Sequence, residues 1–162
     1  MILPAPAKFE TQTNVLVVGA GACGLTVALA AGEQTDEVLV LERDPQPAGS
    51  TALSSGFIPA GGTRFQADVD GPALFAADIT TKAKGKQDAA LTKIVTTAIG
   101  STLEWLADRH GLVWQVLDSF TYPGHSAQRM HTVPEKTGEA LMTRLQSAAS
   151  HIPIATQAIV TT

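Results

Sequence analysis

Apolar residues along this chain fall into blocks, and the spacing changes from one block to the next. Val15–Val18 is a run rich in β-branched residues that ends at Gly19, Gly21 and Gly24 and gives way to the leucine- and alanine-rich LTVALAAG. Strand, tight turn, helix is the predicted order. Val38–Leu41 repeats the apolar run and predicts a second strand. Asp70, Gly71 and Pro72 mark a helix start with proline in the first turn, and that helix is expected to run to Lys84 and stop at Gly85. From Asp88 onward, Leu91, Ile94, Val95, Ala98, Ile99, Thr102, Leu103 and Leu106 keep helical spacing. They predict a long helix ending at His110, with Gly111 as a left-handed cap. Thr137 caps a last predicted helix to about Ala149, with Ala140, Leu141, Leu145 and Ala148 as its contacts. Residues 112–117 and the closing PIATQAIVTT read as strands, and TYPGHSAQRMHTVPEK reads as a polar loop.

The first block allows two readings. Residues 11–32 carry no charge, and a segment of about 20 apolar residues is long enough to span a membrane. A membrane helix has no use for G-x-G-x-x-G directly behind a β-branched strand. A dinucleotide does. Gly19 allows the tight turn, Gly21 lets a pyrophosphate approach the backbone, and Gly24 lets the helix pack on the strand. The helix N-terminus then offers free N–H groups and a positive dipole end to the anion. Glu42 ends the second strand about 20 residues further on, where a carboxylate accepts hydrogen bonds from a ribose diol. An acid there also disfavours the 2′-phosphate of NADP. Residues 14–45 thus predict an α/β, Rossmann-like FAD/NAD(P)-binding fold with a parallel sheet flanked by helices.

Residues 46–66 separate FAD from NAD. They are rich in small, turn-forming side chains, among them Gly49, Ser50, Thr51, Ser54, Ser55, Gly56, Gly61 and Gly62. An NAD domain is expected to enter its next crossover helix soon after the ribose acid, whereas loops this long are usually functional. Exposed backbone with little side-chain bulk suits a planar ring and a diphosphate pressed against main chain.

VLVVGAGACGLTVALAA, followed by VLVLERDPQPAGSTALSSGFI, resembles the fumarate reductase/succinate dehydrogenase flavoprotein family. These FAD-dependent oxidoreductases include ketosteroid dehydrogenases and tricarballylate dehydrogenase-like proteins. The similarity continues in STLEWLADRHGLVW and TGEALMTRL. The resemblance implies that Gly19, Gly21, Ala22 and Gly24 hold the pyrophosphate, that Glu42 binds the adenosine ribose and that Arg43 lies along the adenine side. It implies that Gly49, Ser50 and Thr51 run past the phosphates and ribityl chain, with Ser55 and Gly56 beside the isoalloxazine. The family usually has Gly-Gly where this chain has Ala48-Gly49, a small departure. A mostly helical region over 70–150 and a returning strand over 152–160 complete the match, with Ala158 placed against adenine. Family enzymes are several times longer, so the resemblance implies an incomplete fold whose cap domain and C-terminal segment lie elsewhere. The implied partners are the remainder of the enzyme, in cis or as a second subunit, and a small carbonyl or carboxylate substrate. The implied chemistry is hydride movement between flavin and a carbon next to that carbonyl or carboxylate.

Composition narrows the alternatives. A net charge of −4, with 16% charged and 44% hydrophobic residues, gives no electrostatic footprint for nucleic acid. Outside its remainder such a chain is expected to expose sheet edge and apolar surface. One cysteine, Cys23, excludes an intrachain disulfide and a cysteine zinc site, and it points to a reducing, cytoplasmic setting. MILPAPAKFE lacks the apolar core of a signal peptide. No metal-ligand spacing occurs, and no Gly-x-Ser-x-Gly elbow. Cys23 sits where helix N-termini lower thiol pKa values, but its simpler role is buried filler between helix and sheet. His125, Arg129 and His131 are the candidate catalytic cluster, since Arg pairs with carboxylates through two parallel bonds. Their simpler reading is a solvated loop. Tyr122 is a candidate donor to a carbonyl oxygen, and otherwise a packing residue. Trp105 and Trp114 are expected in the core, and His110 at a helix end. Two other readings stay open: a NAD-binding domain, and a non-catalytic dinucleotide-binding or interaction module.

Overall fold

A computed structural model of the chain describes residues 12–67 and 69–161. The N-terminal decapeptide read for a signal sequence lies outside the described residues.

The βαβ unit forms as its sequence dictates. Strand β1 (Val15–Val18) leads through the glycine turn into helix α1 (Ala22–Gly32) and then strand β2 (Val38–Leu41). The strands pair in parallel, from Val15 with Val38 to Val18 with Leu41. A parallel connection of this kind puts the helix on one face of the sheet. There Val17, Leu25, Ala28, Leu29, Val38 and Val40 bury against Leu141, Leu145 and Ile152. Strand β6 (Ile154–Ala155) adds to the other side of β2, also in parallel, so the order is β1-β2-β6.

A second layer follows. After a one-turn helix α2 (Gly49–Ala52), strand β3 (Ile58–Pro59) joins β4 (Gln115–Val116) and β5 (Met130–Thr132) in an antiparallel sheet of order β3-β5-β4. Helices α3 (Pro72–Lys82) and α4 (Ala89–His110) pack on each other. Asp88 caps α4 through Leu91 N–H, and Gly111 ends it at φ +70°. Helix α5 (Gly138–Ala148) starts at Thr137, whose hydroxyl accepts from Ala140 N–H. Among the described residues no helix is long and apolar enough to cross a membrane.

Several expectations need correction. The expected strands over 112–117 and 152–160 shrink to two residues each, and Gln157 at φ +57° turns the chain out of β6. The expected polar loop contains β5, and Arg129, His131 and Thr132 within it are fully buried. Cys23 is exposed rather than filling a gap. Leu91, Ile94 and Val95 keep helical spacing but face outward, because α4 buries Thr96, Gly100, Leu103 and Leu106 instead. The reason is a backbone crossing: a Cβ on Gly100 would lie 3.1 Å from the Gly61 carbonyl oxygen. Trp114 is buried and donates to the Leu103 carbonyl at 2.8 Å. Trp105 packs half-buried against the core and donates to Glu33. Apolar surface is exposed as expected: Leu16 and Val18 on β1 are 52% and 63% accessible.

Candidate cofactor site

The turn between β1 and α1 is built by its glycines, each for a different reason. Gly19 adopts φ +96°, a conformation that L side chains rarely reach. Gly24 lies so close to the strand that a Cβ there would come 1.8 Å from the Gly19 carbonyl oxygen. Gly21 is different. Its backbone is extended, and a Cβ would meet nothing nearer than Thr51 Oγ1 at 4.0 Å. No protein atom requires glycine at 21, so the vacant volume is what a bound group would use. The first intrahelical bond is Leu25 N–H to the Gly21 carbonyl. Before it, Ala22 N–H meets Thr51 Oγ1 of the following loop at 3.4 Å. This is the donor-rich, electropositive end that an anion needs.

Glu42 closes the other side. It is 8% accessible, and its two carboxylate oxygens each hold one backbone N–H: Ala20 N–H at 2.8 Å on Oε2 and Asp44 N–H at 2.9 Å on Oε1. Those bonds, Asp44 first and Ala20 second, hold its carboxyl below the usual range. The group is therefore an anchored carboxylate that still has an accepting lone pair on each oxygen, as a vicinal diol requires. Glu42 N–H goes to the Ala155 carbonyl and Ala158 N–H to the Glu42 carbonyl, each at 2.9 Å. The segment after β6 is thus tied to Glu42 through main-chain bonds on both sides. Arg43 is mostly exposed and pairs with Asp44 at 3.3 Å.

The 46–66 segment comes back over this turn. Gly49 takes φ +56°, and a Cβ on it would lie 3.5 Å from Gly21 Cα. Ser50 and Ser55 are exposed, and Gly56 is buried at φ +67°. An open cavity of about 540 Å³ is walled by Arg43, Asp44, Gly49, Ser50 and Leu53. The loop is locked from below by α5. Gly138 N–H donates to the Ser54 carbonyl at 2.9 Å, and a Cβ on Gly138 would sit 1.8 Å from the Thr51 carbonyl oxygen. A Cβ on Gly56 would come 2.7 Å from the Thr137 carbonyl oxygen. Gly138 supports this loop, a role the sequence reading did not assign, although TGEALMTRL placed the glycine at the start of the helix.

The structure does not bring the candidate catalytic residues into one open cluster. Arg129 forks onto Asp70, with Nε and Nη2 at 2.9 and 3.0 Å from its oxygens. Its Nη1 lies 2.7 Å from Asp78 Oδ2, a charge contact whose direction is poor for a hydrogen bond. A guanidinium held this way is not free for a substrate carboxylate, which corrects the expectation of a carboxylate clamp. His131 is also buried. Its Nδ1 faces the Arg129 carbonyl at 2.9 Å, so Nδ1 carries the proton and Nε2 accepts from Thr63 Oγ1 at 2.7 Å. Burial lowers its pKa, which keeps it neutral at pH 7. His125 is partly buried and tilted on Phe75, with its pKa lowered by burial and then by the Arg129 charge. Tyr122 packs edge-on to Phe57 and against Phe120.

A family model described as FAD binding domain matches residues 14–162. The chain belongs to this family of FAD-binding domains. The domain is 29% identical over 148 residues to urocanate reductase of Eggerthella lenta, covering 90% of this chain and 24% of that protein. It is 33% identical over 137 residues to L-aspartate oxidase of Halobacterium salinarum, covering 82% of this chain and 26% of the oxidase. Among solved structures, the open conformation of a flavocytochrome c3 fumarate reductase superposes with a TM-score of 0.79 at 26% identity, over 90% of this chain and 26% of that one. The FAD-binding domain thus spans about a quarter of the length of these relatives. A 3-ketosteroid-Δ4-(5α)-dehydrogenase from Rhodococcus jostii shares the fold at a TM-score of 0.77 and 22% identity. These matches place the chain in the fumarate reductase/succinate dehydrogenase group of flavoproteins, with FAD as cofactor. The site fits that cofactor: Gly21 leaves room for a pyrophosphate at a helix N-terminus, and Glu42 offers an ionised diol acceptor.

Proposed function

We propose that this FAD-binding domain serves a flavin-dependent oxidoreductase that dehydrogenates or reduces a carbon–carbon bond next to a carbonyl or carboxylate. The flavin supplies the hydride chemistry when bound, and the domain supplies binding and orientation. The observation that carries the reading is the pairing of an open Gly21 with the anchored Glu42 carboxylate at the ends of two parallel strands. In this reading Gly19, Gly21, Ala22 and Gly24 hold the pyrophosphate and Glu42 the ribose. Arg43 and the Ala158 carbonyl flank the adenine, while Gly49, Ser50, Thr51, Ser55 and Gly56 carry the ribityl chain and ring edge. None of His125, Arg129, His131 or Tyr122 is needed as a proton donor. Arg129 and His131 are buried in contacts of their own, so substrate-contacting groups belong to the remainder of the enzyme, in cis or as a second subunit. The exposed edge and outer face of β1 support a missing neighbour, since an unpaired apolar strand is a liability for a free protein.

The test is a visible spectrum of the chain purified from its own host, with every copurifying polypeptide identified by mass. Flavin absorbance, with FAD released on denaturation, is the expected result. A preparation that takes up NAD and no flavin would overturn the FAD assignment. Flavin held without any oxidoreductase partner or activity would favour a non-catalytic binding module.

A further inference from the structure

Arg129 is among the largest side chains buried completely in the described residues, and neither the glycine turn nor the ribose acid uses it. Its partners lie along one side of helix α3. Asp70 precedes the helix and also accepts from Gly71 N–H at 2.8 Å, and Gln66 Nε2 donates to it at 3.0 Å. Phe75 lies under the guanidinium, 4.8 Å from its ring centre. Asp78, further along the helix, also accepts from Ser126 N–H and Oγ at 2.8 and 2.9 Å. The main chain of the same arginine points the other way. Its carbonyl accepts from Ala60 N–H and from His131 Nδ1–H, both at 2.9 Å. The residues after it, Met130 and His131, pair with Pro59 and Ile58 of β3.

We propose that Arg129 is a positioning residue for the cofactor loop. Its side chain is fixed to α3 by Asp70 and Asp78, and its main chain fixes β3 and through it Gly56. This rests on the FAD reading above. Net stability does not explain the arrangement. One buried cation with two carboxylates is costly to desolvate, and well-packed apolar side chains of similar volume are often as stabilising. What the forked pair adds is direction: two parallel bonds to Asp70 and a third contact to Asp78 set both the height and the rotation of β5 over α3. Gly56 has little freedom to compensate. It sits two residues before β3 at φ +67°, with Thr137 and Gly138 backbone closing the space around its α-carbon. A shift of β3 therefore becomes a shift of the loop that faces the cofactor.

The experiment compares the full chain, purified with whatever copurifies, as wild type, Arg129→Met, Asp78→Asn and Leu106→Ala. Leu106 is a buried α4 residue outside this network and serves as a stability control. Three quantities are read: FAD affinity by flavin fluorescence titration, the visible circular dichroism of the bound flavin, and the melting temperature. Arg129→Met is expected to bind FAD at least tenfold more weakly with an altered flavin dichroism, while Leu106→Ala loses stability but keeps both signals. Asp78→Asn, which leaves the Asp70 fork in place, is expected to shift the dichroism and weaken affinity severalfold. It carries the test should the methionine variant fail to fold. Wild-type dichroism and affinity in the folded variants overturn the inference, as does a loss that merely tracks melting temperature in all three. A wild-type chain that binds no FAD would instead sink the cofactor reading on which this one rests.

Discussion

Gly21 and Gly24 stand in the same turn, yet different neighbours require them. Gly24→Ala forces a methyl group to 1.8 Å from the Gly19 carbonyl oxygen, and the expected outcome is a chain that fails to give a cooperative thermal transition. Gly21→Ala meets no protein atom and has an ordinary extended backbone. It is expected to keep the wild-type melting temperature while losing FAD from gel filtration. Equal damage to both properties in both variants would show that the vacancy at Gly21 is not reserved for a ligand. Glu42→Gln tests the other half of the site. An amide presents an NH2 where Ala20 or Asp44 N–H now donates, so one donor faces another and the charge for the diol is lost. Losing a hydrogen bond to a charged group costs about 1.5–3 kcal/mol, so FAD affinity is expected to fall about 10- to 100-fold by fluorescence titration. The turn and the strand-end acid were legible in the sequence because a G-x-G-x-x-G spacing and an acid after a strand are local. The roles of Asp70 and Asp78 were not legible. They meet Arg129 across intervals that carry no periodic signal.

Among the elements, the helices were easier to read than the strands. Asp88, His110 and Gly111 bound α4 as their capping chemistry predicts. Leu103 and Leu106 are buried as their spacing predicts, but Leu91, Ile94 and Val95 in the N-terminal half have the right spacing and the wrong side. What fixes the face is Gly100, the contact point with the Gly61 backbone. Gly100→Ala should therefore behave opposite to its helix propensity. Alanine favours a helix interior by about 1 kcal/mol over glycine, yet the added methyl group would lie 3.1 Å from the Gly61 carbonyl oxygen, tighter than an ordinary contact. The expected outcome is a lower urea midpoint, and a midpoint raised above wild type would deny the crossing. Strand β4 lies inside the strand expected over 112–117, whereas β3 and β5 were not legible, for a physical reason. Each pairs for only two or three residues, too short for an alternation to register, and β5 carries the buried His131 and Thr132 in an otherwise polar stretch.

Across the whole molecule, burial shifts three histidines in the same direction. His110, His125 and His131 all have pKa values lowered below 6.5, with burial as the first cause. Unfolding raises each toward its ordinary value, so the unfolded chain binds more protons as pH falls below about 6.5. Their contribution to stability is complete above that pH and is lost as pH drops toward their folded values. Urea midpoints are expected to stay flat between about pH 7 and 8 and to decline from about pH 6.5 to 5, with a shallower decline in His131→Asn. A midpoint that rises on acidification would contradict this. The fold class was legible at this scale, but the order β1-β2-β6 was not, since nothing in PIATQAIVTT says which edge it joins. That order sets a timetable for biosynthesis. While the polypeptide is being made, β1, α1 and β2 leave the ribosome together, but the second edge of β2 waits for Ile154 and Ala155, on the order of a hundred residues later. The nascent chain therefore carries one unpaired edge of β2 until Ile154 and Ala155 emerge, an edge open to pairing with other chains in that interval.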